Sequence, residues 1–255
     1  MMSNKRARIE TTAAEEGAEQ VGQGLQVTKP TSFPHLYNNN YTVQLTYADN
    51  YRHDIAQNGS AINQVFRTNN IFDVDYTGGG HQPMARDLWA SMYDYYTVLA
   101  CMYKINIYNA SGQDPVTFTA AGTSGQVIGA VNVTTIPTTD VTDITNNTGF
   151  VYPAAEVKNT RTYWLIPGQN LTLKGTLTPG DFMVDAKDSD ADTTWTANGS
   201  NPAAPRFLGY IASAGNYSAL TGVNETPYTH LMIQVILQYT VQFTQINPTL
   251  RQTNS

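Results

Sequence analysis

Only one cysteine, Cys101, occurs in the 255 residues, so the chain can form neither an intrachain disulfide nor a cysteine zinc site. Its place in an alternating run makes it a buried apolar residue. Glutamate is almost as scarce: beyond residue 19 only Glu156 and Glu225 occur, which leaves a cupin-like barrel enzyme without the clustered His and Glu ligands it needs. The four histidines, His35, His53, His81 and His230, lie far apart, and none stands in a His-x-x-x-His or His-x-His spacing. No Gly-x-Ser-x-Gly elbow is present, so nucleophilic catalysis has no motif behind it. No apolar run of about twenty residues could span a membrane, and no N-terminal run has the form of a signal peptide. The chain is therefore expected to be made in the cytosol and to stay soluble, with no membrane insertion and no cofactor.

Charge is sparse too. Charged residues make up 13% of the chain, about half of the roughly 25% usual in soluble domains, and Thr, Asn, Gln and Ser take up the difference. Together with 16 tyrosines, this fits a protein whose surface is largely used in contacts with other chains, because interfaces deplete charge and enrich Tyr. The net charge of −6 argues against a whole surface that grips nucleic acid, while leaving room for a local basic segment.

What the chain does have is alternation. Tyr41, Val43, Leu45 and Tyr47 alternate with Thr42, Gln44 and Thr46, as in a half-buried strand. A polar loop is expected over residues 49–60, a second strand over 62–72, and shorter strands over 116–120, 126–134, 162–166, 171–176 and 206–213. The most regular run comes last: Leu231, Ile233, Val235, Leu237, Tyr239, Val241 and Phe243 share one face, a period that excludes a helix. About eight strands, uneven connections and one helix are the profile of an all-β fold, a single eight-stranded jelly roll of two sheets. Residues 1–28 lack apolar periodicity and are expected to form a disordered N-terminal arm ahead of the jelly-roll domain at 29–255. The arm opens with Lys5, Arg6 and Arg8, a cluster suited to nuclear import or to phosphate contact.

The stretch from Phe66 to Tyr108 holds a strand-like run, an acidic turn, glycines, a short helix and a long strand. Pro83 suits the first helical turn, and Met84, Leu88, Met92 and Tyr95 recur at helical spacing. Afterwards Leu99, Cys101, Tyr103, Ile105 and Ile107 fall on one strand face. A lone helix between strands is expected to bridge the end of a sheet stack. Catalytic and metal readings of this stretch and its neighbours fail on spacing. Gly78, Gly79 and Gly80 lack the Lys-Ser/Thr of a phosphate loop, and a tight backbone passage into the helix is the better reading. Asp188, Asp190 and Asp192 open like a calcium loop, but Thr193 stands where Gly is needed and Gly199 where the bidentate Glu is needed. Asp73 and Asp75 are expected to cap and shape a turn, and a neutral His81 to accept backbone N–H groups at the helix start.

The residues Phe66-Arg67-Thr68-Asn69, Phe72-Asp73-Val74-Asp75 and Gly79-Gly80-His81-Gln82-Pro83, followed by Asp87, Trp89, Tyr93 and Tyr96, resemble capsid proteins of circular Rep-encoding single-stranded DNA viruses, the circovirus-like group. Val74, where the related pattern often has Pro, and Met84-Ala85-Arg86, where it often has Gly-Phe, mark a divergent member. The resemblance implies a non-enzymatic jelly roll that self-assembles into an icosahedral shell around a circular single-stranded DNA genome. Roughly sixty copies follow from the simplest icosahedral symmetry. It further implies a virion location with assembly in the host nucleus, a host receptor, and outer loops at residues 135–149 and 181–205. Lys5, Arg6 and Arg8 would face the genome. The first 28 residues hold three basic and four acidic side chains, 3 − 4 = −1, so DNA is expected to be weakly held. Trp89 and Tyr93, one helical turn apart, are the candidates for reaching a neighbouring subunit. A carbohydrate-binding jelly roll, such as a lectin or fibre head, is the competing expectation from composition.

Overall fold

The computed structural model describes residues 39–56, 61–111, 117–120, 123–126, 131–146, 160–182, 195–214 and 228–250. The chain divides after Asn38, and everything described belongs to the unit that begins at Asn39. The arm at 1–28, with Lys5, Arg6 and Arg8, lies outside the described residues, as do positions 147–149 and 183–194 of the two expected loops.

The dominant element is the strand whose alternation was strictest, β11 (Tyr228–Ile246). Leu231, Ile233, Val235, Leu237, Tyr239, Val241 and Phe243 are all buried, and an aliphatic or aromatic side chain removed from water this fully contributes about 1.5–3 kcal/mol. β11 lies between β1 (Asn40–Ala56) and β3 (Tyr93–Asn109), and β3 pairs in turn with β8 (Asn170–Leu177), giving the order β1-β11-β3-β8. The second sheet has the order β2-β10-β6-β7, from β2 (Ala61–Arg67), β10 (Phe207–Ala214), β6 (Val131–Thr138) and β7 (Arg161–Leu165). A hairpin of β4 (Thr117–Ala120) and β5 (Thr123–Gln126) and the two-residue β9 (Thr196–Ala197) complete the strands among the described residues. The first strand pairs with the last, the second with the penultimate, and every pairing is antiparallel. That nested pairing across two sheets, each a path of four strands with β9 added beside β3 in the first, is a jelly roll.

Among the described residues three short α-helices accompany the sheets: α1 (Arg86–Met92), α2 (Thr142–Thr145) and α3 (Pro179–Phe182). Among the described residues no helix is long and apolar enough to cross a membrane.

Several local expectations change. The expected loop at 49–60 is strand as far as Ala56, because each of these residues is opposite a residue of β11, and pairing overrides the weak β preference of Asp and Asn. β2 stops at Arg67 rather than running on to 72. In β3, Leu99 is 41% exposed and does not share the face of Cys101. Thr240 pairs with Ala100 and Val241 with Val98, so Leu99 is the extra residue of a bulge, which reverses the inward phase. The described part of the loop expected at 135–149 is the end of β6 followed by α2. Ile144 of α2 is buried with Val65, Ile136, Phe207 and Ile211 in a second, smaller core on the outer face of the β2-β10-β6-β7 sheet.

Candidate functional site

The 66–92 stretch closes one open side of the sandwich, where the edge strands β1 and β2 face each other. At the β2 edge Phe66 bridges Asp75, the Arg67 N–H donates to Val74 O at 2.8 Å and the Tyr76 N–H donates to Val65 O at 3.0 Å. At the β1 edge the Met84 N–H donates to Thr46 O at 3.3 Å. The segment thus satisfies backbone groups on both edges, which an uncovered strand would leave open to another chain.

Asp75 sits at the centre, buried. Its oxygens accept from Gln64 Nε2 at 2.8 and 2.9 Å, from the Thr77 N–H at 2.9 Å and hydroxyl at 2.6 Å, and from the Tyr51 hydroxyl at 3.1 Å. A carboxylate holding that many donors, with no cation against it, is satisfied by hydrogen bonds. Asp73 instead forms an ion pair with Arg67, whose Nη1 also donates to Asp73 O at 2.9 Å. The two carboxylates therefore have separate partners and share no proton path. Gly79 has φ of +96°, a left-handed conformation that favours glycine. Gly80 is needed for a different reason, because a Cβ there would come within 2.6 Å of Asp75 Cβ and 2.9 Å of the Tyr47 hydroxyl.

Around Asp75 the inner face of β1 carries the polar-tipped run Tyr47, Asp49, Tyr51 and His53. Tyr47 donates to Asp49 at 3.1 Å and meets the Tyr51 hydroxyl at 3.2 Å. Burial pushes the Tyr47 phenol up to about 12 and raises Tyr51 further still. His53 meets the Tyr210 hydroxyl of β10 at 2.8 Å, and burial holds its ring below the usual histidine range. The network joins the two sheets with neutral phenols and a neutral imidazole, an arrangement suited to fixing their separation and unsuited to acid–base turnover near neutral pH. Among the described residues no group of three or more His, Cys, Asp or Glu could hold a metal ion. The triad Asp188, Asp190 and Asp192 and His35 lie outside the described residues.

His81 stacks on Tyr47 with centroids 4.6 Å apart. Both its ring nitrogens face carbonyl oxygens, Nδ1 that of Gln82 and Nε2 that of Ala48, so it donates to the backbone rather than accepting N–H groups from it. Pro83 is buried but precedes the helix: the Arg86 N–H donates to Pro83 O at 3.1 Å, and Ala85 turns the chain with φ of +65° before α1 begins.

The sequence placed Trp89 and Tyr93 on one helical face. α1 ends at Met92, and Tyr93 opens β3 at 2% exposure, packed against Phe243 and Trp89. Tyr93 is a core residue, because the 3.6-residue period gives way to period two one residue before it. Trp89 is half-buried, stacked between Tyr41 of β1 at 5.0 Å and Phe243 of β11 at 5.8 Å. The residues that leave this face are Met84, 85% exposed, and Leu88, 61% exposed. The apolar stripe of Met84 and Leu88 points away from the sandwich, and Trp89 and Met92 make the inward contact.

Other outward apolar side chains are Trp164 and Ile166 at the end of β7, and Met102 and Met232 on the outer face of the first sheet. Polar residues that the sequence did not single out complete the framework. Asn70, fully buried, accepts from the Phe72 and Asp73 N–H groups at 2.8 and 3.2 Å and from the Tyr96 hydroxyl at 3.0 Å. Its signal was an Asn two residues before an aromatic–Asp pair, the pattern of an Asx turn. Gln64 had a clearer signal, since it stands between Ile62 and Phe66 on a core-facing phase.

No family model matches this sequence, and no curated protein does. Among solved structures the chain is similar to the BFDV capsid protein in its decameric form, at 15% identity over 81% of this chain and 99% of that one, with a TM-score of 0.40. It is similar to the 60-mer of the same capsid protein at 14% identity over 85% and 100% of the two chains, with a TM-score of 0.41. For the T=3 particle of Penaeus vannamei nodavirus the identity is 14% over 90% of this chain and 61% of that one, with a TM-score of 0.42.

Proposed function

We propose that this chain is a viral capsid protein that assembles with copies of itself into a closed icosahedral shell around a circular single-stranded DNA genome. The observation that carries the reading is the set of large apolar side chains left outward on separate elements: Met84 and Leu88 beside α1, Trp164 and Ile166 at β7, Met102 and Met232 on the first sheet. Large apolar side chains held outward on separate elements offer separate contact points, through which a chain can be held by several neighbours at once, as a closed shell requires. The jelly-roll pairing and the Gly-His-Gln-Pro resemblance support the same reading. The work of such a protein is done by repeated contacts, with no catalytic residue, in a shell of roughly sixty copies. The virion is then its final location, with Lys5, Arg6 and Arg8 serving import to the host nucleus or contact with DNA, and a host receptor meeting the outer loops.

Negative-stain microscopy of the expressed chain tests this: closed particles of uniform size are expected, and a monodisperse monomer at high concentration would overturn it. Particles should persist after nuclease treatment if the weakly charged arm leaves assembly independent of DNA.

A second reading, a carbohydrate-binding jelly roll, draws on the groove of about 520 Å³ across the first sheet. Asn50, Asn106, Tyr108, Asn170 and Gln234 line it, and uncharged amides beside a ring suit sugar hydroxyls and C–H faces. A glycan array on dispersed subunits separates the two readings.

A further inference from the structure

The side of the sandwich away from the 66–92 bridge is built differently. There β8, the edge of the first sheet, faces β7, the edge of the second, and a cavity of about 420 Å³ lies at the gap. Tyr103, Tyr163, Thr135, Leu173, Arg161 and Lys174 line it, and no acidic residue among the described residues does.

Three features show that the cleft is built. First, Arg161 stands in the phase of Tyr163 and Leu165 on β7, opposite the buried Thr135, and is exposed at the strand's first position, where the alternation of the strand calls for an apolar side chain. Second, its cations have no ion pair among the described residues. Lys174 is paired directly with Lys104 across β3 and β8, a like-charge juxtaposition that weakens a ladder. Arg52, Arg67 and Arg86 each have an aspartate partner, whereas Arg161, Lys174 and Lys104 have no ion pair among the described residues. Third, Tyr103 is aimed. It is opposite Gly175, and a Cβ there would come within 2.5 Å of its phenol oxygen and 2.6 Å of its ring, so the ring lies over bare backbone toward the β8 edge. Burial pushes the Tyr103 phenol up, and the neighbouring Arg161 guanidinium opposes that shift.

We infer that this cleft binds one nucleotide of a single-stranded nucleic acid, its phosphate between Arg161 and Lys174 and its base against Tyr103 or Tyr163. Paired cations without a carboxylate select an anion, and two rings beside them supply the stacking platform that single-stranded nucleic acid uses without regard to sequence. The inference takes its ligand source from the proposed genome-enclosing role, and it gives a chain of net charge −6 a folded contact for DNA beyond Lys5, Arg6 and Arg8.

The test is fluorescence anisotropy of a fluorescein-labelled oligothymidylate with the full chain over a salt series, repeated in a Lys5→Gln, Arg6→Gln, Arg8→Gln background to remove the arm. Arg161→Gln and Lys174→Gln should each lower the salt slope by about 0.7, the value for one phosphate contact on a single strand. Tyr163→Leu should weaken binding roughly 5- to 150-fold, the range of one base–aromatic stack. Arg161→Lys, which keeps the charge, should retain the slope and guards against a folding defect, as does a thermal melt of each variant. Affinity and slope unchanged in all variants would overturn the inference and leave Arg161 as a charge guarding an edge strand. Preferential binding of a sulfated oligosaccharide, lost in the same variants, would also overturn it. Microscopy of the same samples keeps the two proposals apart: particles with unchanged oligonucleotide binding refute the cleft alone, and cleft-dependent binding without particles refutes the shell alone.

Discussion

His81 reaches across from the bridge to β1, its Nε2 lying 3.0 Å from the carbonyl oxygen of Ala48, while Nδ1 lies 2.9 Å from that of Gln82. Two acceptors need two donors, and only the imidazolium has both. The backbone contact to Gln82 and then that to Ala48 raise the pKa of His81; its slight burial opposes them, and Asp49 adds to the rise. A group whose folded pKa exceeds its unfolded value, about 6.5 for histidine, contributes stability that is fully present below the unfolded value and is lost as pH rises through the folded one. Urea midpoints for the parent and His81→Ala should therefore differ most on the acid side and converge on the alkaline side. His53, whose burial lowers its pKa, loses its contribution in the opposite direction, as pH falls, and cancels because both proteins carry it. A gap independent of pH would refute the doubly donating ring.

Asp75→Asn should destabilise the fold by about 1–3 kcal/mol, because an amide NH₂ would then meet the donors of Gln64, Thr77 or Tyr51 in a buried site. Asp73→Asn keeps the Arg67 contact on a side chain that is 45% exposed and should cost no more than about 1 kcal/mol. Equal losses in urea denaturation would contradict the separate roles assigned to the two carboxylates.

These residues mark what the sequence could and could not reveal. β11 was legible because one face of it is wholly apolar, so period and burial coincide. β1 was legible only to Tyr47, since the network of Tyr51, His53 and Asp75 replaces aliphatic side chains with hydrogen-bonded ones, and a polar run reads as a loop. The phase reversal at Leu99 comes from a bulge set by β11, which no local pattern encodes. Ile144 sits in a Thr- and Asn-rich run, and only the opposing strands explain its burial. The cleft depends on Tyr103 meeting Gly175 across a ladder, a relation between residues far apart in the chain. The lone helix between strands reads as a bridge across the end of a sheet stack, whereas the edge contacts of 66–92 come from residues ahead of α1; its outward stripe was not legible, because helical spacing alone does not say which apolar residues face the sheets.

Gly209 on β10 has no room for a side chain: a Cβ would come within 2.5 Å of Ile144 Cδ1 and 2.9 Å of Gln64 O. Gly209→Ala should cost about 1–3 kcal/mol by overpacking. Ile144→Val removes Cδ1 and should recover part of that loss, so the double mutant should be more stable than the sum of the single changes. Strict additivity in a thermal denaturation cycle would show that α2 does not pack on this strand.

The bridge helix carries two adjacent residues with opposite assignments, which makes the assembly reading testable at single-residue resolution. Trp89 stacks on Tyr41 and Phe243 within the subunit, so Trp89→Ala should lower the stability of the dispersed protein by about 2–4 kcal/mol, toward the lower part of the range for large-to-small core changes because the ring is only half-buried. Leu88 is 61% exposed, so Leu88→Gln should change that stability by less than about 0.5 kcal/mol. If the stripe of Met84 and Leu88 is covered by a neighbouring subunit, Leu88→Gln loses apolar burial only on association, and a shell repeats the loss at every equivalent contact. Sedimentation velocity should then show Leu88→Gln as a stable subunit with a raised concentration threshold for particles, and Met84→Gln should raise it further. Normal assembly of both variants would remove α1 from the interface and leave β7 and the outer face of the first sheet to hold the shell together.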